Sequence, residues 1–340
     1  MAYSINALVA AVGENKLIPD PDCQCLVING DNGYARNNTS WILGRLVRDY
    51  DAWMHQDVRD RVGSNITKKW NTLRSKAEKD GQPEPSRPTQ AGLCVSFYKP
   101  DSRGKVGEPM NNDLYMWCIL VAILQLGIAA IPCGISGDWG ILMITVTGII
   151  LSTLTASLSH WKTEKFTCRR LAANRKKNII LTRGNGSQHA IVILGQADFL
   201  DLEDLAAGQM DINVSTSNST RLIVTALAVL WILLLITAAG LKQNTWFLLA
   251  VGTVGIFLNI YVAGTCRDPR SNGIPLVFEK VIAEPKVMPT LYLVEEAHPH
   301  LGRNLLPIFF PGELNDDEKK SWQAYEKLTS LTTVCKRCTK

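Results

Sequence analysis

Glu295, Glu296, His298 and His300 form an E-E-x-H-x-H run in which carboxylates and imidazoles lie close enough in sequence to share a metal ion or a proton. If the run continued as a strand, alternation would put His298 and His300 on one face. Pro299 between them favours a turn instead, so no metal is expected there. GNGSQH (184–189) follows a strand-like run and carries Gly184 and Gly186, the beginning of a dinucleotide fingerprint. It lacks the third glycine, and another strand-like run follows where a helix is needed, so the spacing predicts a hairpin turn and no cofactor. Cys23-x-Cys25 and Cys335-x-x-Cys338 offer four thiols, but not as the two knuckles of a zinc site. Cys118 and Cys133 fall in an apolar run, as packing residues. Cys266 beside Arg267, and Cys335 and Cys338 in the basic tail VCKRCTK, are candidates for S-acylation. No HExxH, GxSxG or P-loop occurs, which argues against the common hydrolase and nucleotide-binding chemistries.

The elements that would position these groups are dominated by four apolar runs. Residues 139–158 (WGILMITVTGIILSTLTASL) carry no charge and, as a helix, match the roughly 30 Å of a bilayer core at about 1.5 Å per residue. A basic stem follows, with Lys162, Lys165, Arg169, Arg170, Arg175, Lys176 and Lys177 against Glu164. An apolar span ending in Trp and a basic run keeps its basic end in the cytoplasm. The other spans are expected at about Leu114–Cys133, Leu222–Leu241 and Trp246–Gly264, joined as two hairpins by GISGD and KQNT. These turns contain only Asp138 and Lys242 as charges, so nearly all of the 36 Lys and Arg fall on one side. That side also holds the sequons at Asn37, Asn38, Asn65, Asn185, Asn213 and Asn218, which are therefore expected to be unglycosylated. The start MAYSINALVAAVGENK lacks a basic n-region and a long apolar core, so no cleaved signal peptide is expected.

The spans contain no ionisable group, and Gln125 and Asn259 are their strongly polar side chains. Coupled transport normally needs charges there, whereas lone amides serve as interhelical hydrogen bonds. Gly148, Ser152 and Ala156, and likewise Gly255, Asn259 and Ala263, recur at spacing four and mark packing seams within or between protomers.

The polar segments predict an α+β domain assembled from residues 1–113, 159–221 and 265–340 around the hairpins 114–158 and 222–264. Residues 40–62 have helical apolar spacing, a second helix runs to about Lys79, and the Pro-rich stretch 80–91 reads as a linker. Strands are expected at 26–30, 93–99, 178–182 and 189–195, the last two as a hairpin, with an acidic helix at 198–209. Beyond Ile274 the prolines punctuate IPLVFEKVI, TLYLVEE and LLPIFF, which read as short strands. Asn315 and Glu318 have capping-box spacing and open a last helix to about Ser330.

SWILGRLVRDYDAWM, the two hairpins and LTRGNGSQHAIVILG with LDLEDLA resemble uncharacterised multi-pass membrane proteins of filamentous fungi. The resemblance covers most of the chain and implies the same architecture, without an activity to carry over. The sequence therefore predicts a non-enzymatic integral membrane protein, both termini cytoplasmic, presenting its domain to a protein partner, lipid headgroups or a second copy. Nucleic acid is not expected, since the net charge of +5 collected on one face suits an anionic leaflet. The alternatives are a tethered enzyme with its site near His298 and His300 or near His189, and a channel or transporter built from oligomerised hairpins.

Overall fold

Residues 18–108, 113–172, 175–208 and 218–325 are described in the structure, a computed structural model, and the chain divides into two units. The first draws on Gly107–Thr167 and Gln209–Arg267 and holds the apolar helices; the second draws on Pro21–Val106, Cys168–Gly208 and the chain from Asp268.

In the second unit the chain begins with β1 (Leu26–Asn29) and β2 (Ala35–Asn37), joined by a turn in which Asn29 Oδ1 accepts from the N–H of Asp31 at 2.9 Å. Helices α1 (Trp41–Arg48), α2 (Tyr50–Trp53) and α3 (Gln56–Lys79) follow. The helical periodicity of 40–62 is thus broken twice, at Asp49 and at Met54–His55. Trp53 Nε1 donates to the Leu46 carbonyl at 3.0 Å and so folds α2 back on the open end of α1. His55 then caps α3 through Nδ1, which accepts from the N–H of Asp57 at 3.3 Å. The segment 82–89 has no regular structure, as its prolines predict, and β3 spans Leu93–Pro100.

The first unit contains α4 (Asp113–Ser136), α5 (Gly140–Ala156) and α6 (Ser159–Lys165). The chain returns to the second unit for β4 (Lys177–Thr182), β5 (His189–Gly195) and α7 (Leu202–Ala207). It then gives α8 (Asn218–Ala239) and α9 (Thr245–Gly264) to the first, and ends in β6 (Leu276–Glu284), α10 (Val287–Ala297) and α11 (Leu301–Phe309). Residues 316–325 are helical, and Glu318 Oε2 accepts from the Asn315 N–H at 3.0 Å, the reach-back half of the predicted capping box.

The sheet has the order β2-β1-β4-β5-β3-β6, with β3 parallel to β5 and every other pair antiparallel. Its register lines Ile28, Ile180, Val192 and Phe97 in one row across four strands. On that face they pack with Met288, Leu291 and Val294 of α10 and Leu301, Leu305 and Phe309 of α11. Each such fully buried aliphatic or aromatic side chain contributes roughly 1.5–3 kcal/mol. The opposite face is buried as well, at Val27, Leu181, Ile191 and Ser96. Burial on both faces is why β4 and β5 read as unbroken apolar runs.

Two expected strands are helices. TLYLVEE lies in α10 and LLPIFF in α11. Pro289 occupies the first turn of α10, where a missing N–H costs nothing, and Pro307 sits two residues before the end of α11. Met288, Leu291 and Val294, then Leu301, Leu305 and Phe309, bury one face at helical spacing.

Among the described residues three helices are long and apolar enough to cross a membrane: Leu114–Ser136, Ser219–Ala239 and Thr245–Gly264. The remaining expected span is the helix α5, which is apolar but at 17 residues shorter than these three. The first span also runs past Cys133 and takes in part of the expected GISGD turn. Large apolar side chains such as Trp117, Ile123, Ile236, Phe257 and Ile260 are exposed along the long helices, a surface that water does not tolerate over such lengths. Gln125 Nε2 donates to the Val251 carbonyl at 3.0 Å and ties α4 to α9. Asn259 is exposed on α9. Gly148 faces Leu234 of α8, and Gly255 faces Gln125, so each seam opens on a neighbouring helix. At the turns, Asn244 Nδ2 donates to Ser136 Oγ and to Asp138 Oδ2, both at 3.2 Å.

Candidate functional site

The loop between β4 and β5 turns because Gly184 and Gly186 adopt φ of 93° and 84°, left-handed values that glycine reaches without strain. Thr182 Oγ1 accepts from the Gly184 N–H at 3.2 Å and donates to the His189 carbonyl at 3.1 Å, closing the loop at its neck. The stretch that mimics a dinucleotide fingerprint is therefore the tip of a hairpin. It also forms one wall of a cleft of about 450 Å³, the opposite wall coming from Val47, Tyr50 and Asp51 with Thr89 and Gln90. That volume lies in the range of small-molecule sites. Arg183 Nη2 donates to the Val47 carbonyl at 3.3 Å and links the two walls.

His189 opens β5 and packs edge-on to Tyr50, with ring centroids 5.1 Å apart. Tyr50 is fixed in turn by donating to the buried Ser96 Oγ of β3 at 2.6 Å. Burial pulls His189 below the usual imidazole range; Asp51 opposes this shift and Arg183 adds to it. His189 Nδ1 and Gln188 Nε2 are buried without a hydrogen-bond partner among the described residues. The sequence named His189 only as one place for the site of a tethered enzyme; Asp51, Arg183, Gln188 and Tyr50 were not singled out, because the two stretches of the chain that hold them come together only when the hairpin packs against α1 and α2.

The basic stem is not a uniform row of free cations. Lys177 Nζ lies 2.7 and 2.8 Å from the two oxygens of Asp201 and 2.9 Å from Glu203. Burial pulls Lys177 down, but these hydrogen bonds outweigh it and the group ends above the usual lysine value. Arg169 donates its backbone N–H to Asp204 at 2.9 Å and pairs with it through Nε at 3.3 Å; Arg170 lies 3.5 Å from Asp198. Burial pushes Asp204 up, and the bonds from Arg169 more than reverse this, leaving it below the ordinary carboxylate range. The acidic helix expected at 198–209 is shorter, Leu202–Ala207, and Asp201 caps it by accepting from the N–H groups of Glu203 and Asp204. Arg175 and Lys176 are exposed. Lys165 ends α6, where burial and then Arg267 pull it down to about 8. Lys162 lies in α6, and its side chain is outside the described residues.

In the E-E-x-H-x-H run Glu295 is buried, and its carboxylate accepts from the N–H of His300 at 2.7 Å and of Arg303 at 3.0 Å, capping α11. His298 stacks on Phe97 with centroids 4.8 Å apart. Among the described residues no three His, Cys, Asp or Glu side chains are grouped to hold a metal ion. Cys25 is buried, and burial followed by the neighbouring Cys23 pushes its thiol up to about 12. Cys118 and Cys266 are exposed, and Cys133 is half-buried. Cys335, Cys338, the Asn213 sequon and residues 1–17 lie outside the described residues. Compared with family models, curated proteins and solved structures, the chain matches none.

Proposed function

We propose that this chain is a multi-pass membrane protein whose two helical hairpins anchor an α+β binding domain on the cytoplasmic side, with the His189 cleft as its binding site. One observation carries the reading. A single sheet takes β1–β3 from before the first hairpin, β4 and β5 from between the hairpins, and β6 from after the second. Strands of one sheet lie on one side of a membrane, so the chain makes an even number of crossings between them. If α4 crosses, α5 crosses back, and α8 and α9 do the same. Seventeen residues are at the short end of what spans, and modest thinning of the bilayer accommodates the difference. Trp139, exposed at the start of α5, and Trp161 beyond its end suit the two interfaces. The bonds from Asn244 to Ser136 and Asp138 agree with both turns lying on the far side.

The side is assigned by the charge asymmetry already described, with the stem bases and Arg267 and Arg270 on the domain side. Binding rather than catalysis is favoured by a polar, open cleft in which His189 Nδ1 has no hydrogen-bond partner among the described residues. The test is labelling of single cysteines in sealed cells. Asp138→Cys and Lys242→Cys should react with an impermeant maleimide from outside, whereas Asn185→Cys should react only after permeabilisation. Labelling of Asn185→Cys in intact cells, or glycosylation at Asn185, overturns the reading.

A further inference from the structure

We propose that the cleft beside His189 binds a phosphate monoester, held by Arg183 and the Gln188 amide and facing Asp51 with a hydroxyl. The inference rests on the reading of the sheet unit as a binding domain and names the class of its ligand. The walls are rich in donors. Arg183, Gln188, Asn185, Gln90 and Thr89 face one cleft, and Asp51 is the one carboxylate among its lining residues. The Gln188 Nε2 group is buried without an acceptor, as is His189 Nδ1 without a partner. Buried polar groups left unpaired cost folding free energy, and both of these belong to residues that line the cleft. A ligand rich in oxygen acceptors supplies what the Gln188 amide lacks.

The guanidinium of Arg183 selects among such ligands. Its Nη2 is steadied by the Val47 carbonyl while the side chain remains exposed to the cleft mouth, and a planar fork suits the paired oxygens of a phosphate. The tip beside it is open: nothing lies within 4 Å of where a Cβ on Gly186 would sit, so a phosphate can approach the backbone closely. Asp51, the lone acid, repels a bare anion but accepts from a hydroxyl. That favours a phosphorylated polyol over inorganic phosphate. Only Val47, Leu181 and Ile191 line the cleft with aliphatic side chains, too few to take an acyl chain. The recognised part is thus a headgroup-sized molecule, either free in solution or carried on a lipid.

The experiment titrates the full-length protein in detergent micelles with sn-glycerol 3-phosphate, with inorganic phosphate, and with micelles containing phosphatidylinositol 4-phosphate or unphosphorylated phosphatidylinositol. Saturable binding of glycerol phosphate, or of the phosphorylated lipid over the unphosphorylated one, is expected, and the arm that binds identifies the source. Arg183→Gln should weaken it roughly ten-fold or more, the loss of a charged hydrogen bond. Asp51→Asn should tighten inorganic phosphate, and this gain of function decides the matter if Arg183→Gln fails to fold. No saturable binding in any arm, or unchanged phosphate affinity in Asp51→Asn, overturns the proposal. Either result leaves the cysteine-labelling pattern untouched, so failure of the ligand class is distinguishable from failure of the membrane topology.

Discussion

The Lys177 ammonium sits between Asp201 and Glu203, 2.7 Å from the first and 2.9 Å from the second, with all three side chains at most one-fifth exposed. The last base of the stem is therefore part of the sheet domain, where it joins the start of β4 to the cap of α7. Arg36 adds a further contact to Glu203 at 3.3 Å.

Lys177→Met should lower stability by about 2 kcal/mol, less than a fully buried pair because some water reaches it. Lys177→Arg should recover much of that loss. Thermal melting of the two variants against the parent checks the order; equal melting temperatures for Lys177→Met and the parent would contradict it.

Attraction to an anionic leaflet should come chiefly from Arg175 and Lys176, at roughly 1 kcal/mol each when close to the surface. Arg169 and Arg170 already face Asp204 and Asp198. Crosslinking of the domain to phosphatidylserine headgroups in proteoliposomes should therefore fall in the Arg175→Gln, Lys176→Gln double variant. It should rise in Asp198→Asn, Asp204→Asn.

Gln125→Leu should cost about 0.6 kcal/mol by removing the bond to the Val251 carbonyl in a lipid environment. Denaturation of the detergent-solubilised protein by increasing SDS measures it. A stabilised variant would show that the amide is not used between these helices.

Gly302→Ala tests the two C-terminal helices. An added Cβ on this residue of α11 would collide with the Leu291 carbonyl and crowd Glu295, both of α10. Overpacking of this kind costs about 1–3 kcal/mol. Two strands in place of these helices would tolerate alanine at this position, so an unchanged melting temperature would restore that reading.

Stability should fall as pH drops below about 6.5. Burial lowers His189 and His298 from their ordinary values, so in that window the unfolded chain binds more protons than the folded one. His298→Gln and His189→Gln should each flatten the profile between pH 6.5 and 5, as read by denaturant midpoints at each pH.

The long apolar helices were legible because crossing a bilayer needs about twenty consecutive apolar residues, a signal that no tertiary contact has to complete. The hairpin of β4 and β5 was equally plain, since Gly184 and Gly186 punctuate two runs that pair locally. Tertiary packing alone decided the rest. Pro289 and Pro307 look like strand punctuation until α10 and α11 are seen to lay Leu291, Val294, Leu301 and Leu305 over the sheet. The basic stem was legible only as a run of charge; which of its bases meet acids depended on Asp198, Asp201, Glu203 and Asp204 folding back onto it. The cleft was invisible for the same reason: Tyr50 and Asp51 lie more than a hundred positions before His189, and only the packing of α1 and α2 on the sheet brings them to one opening.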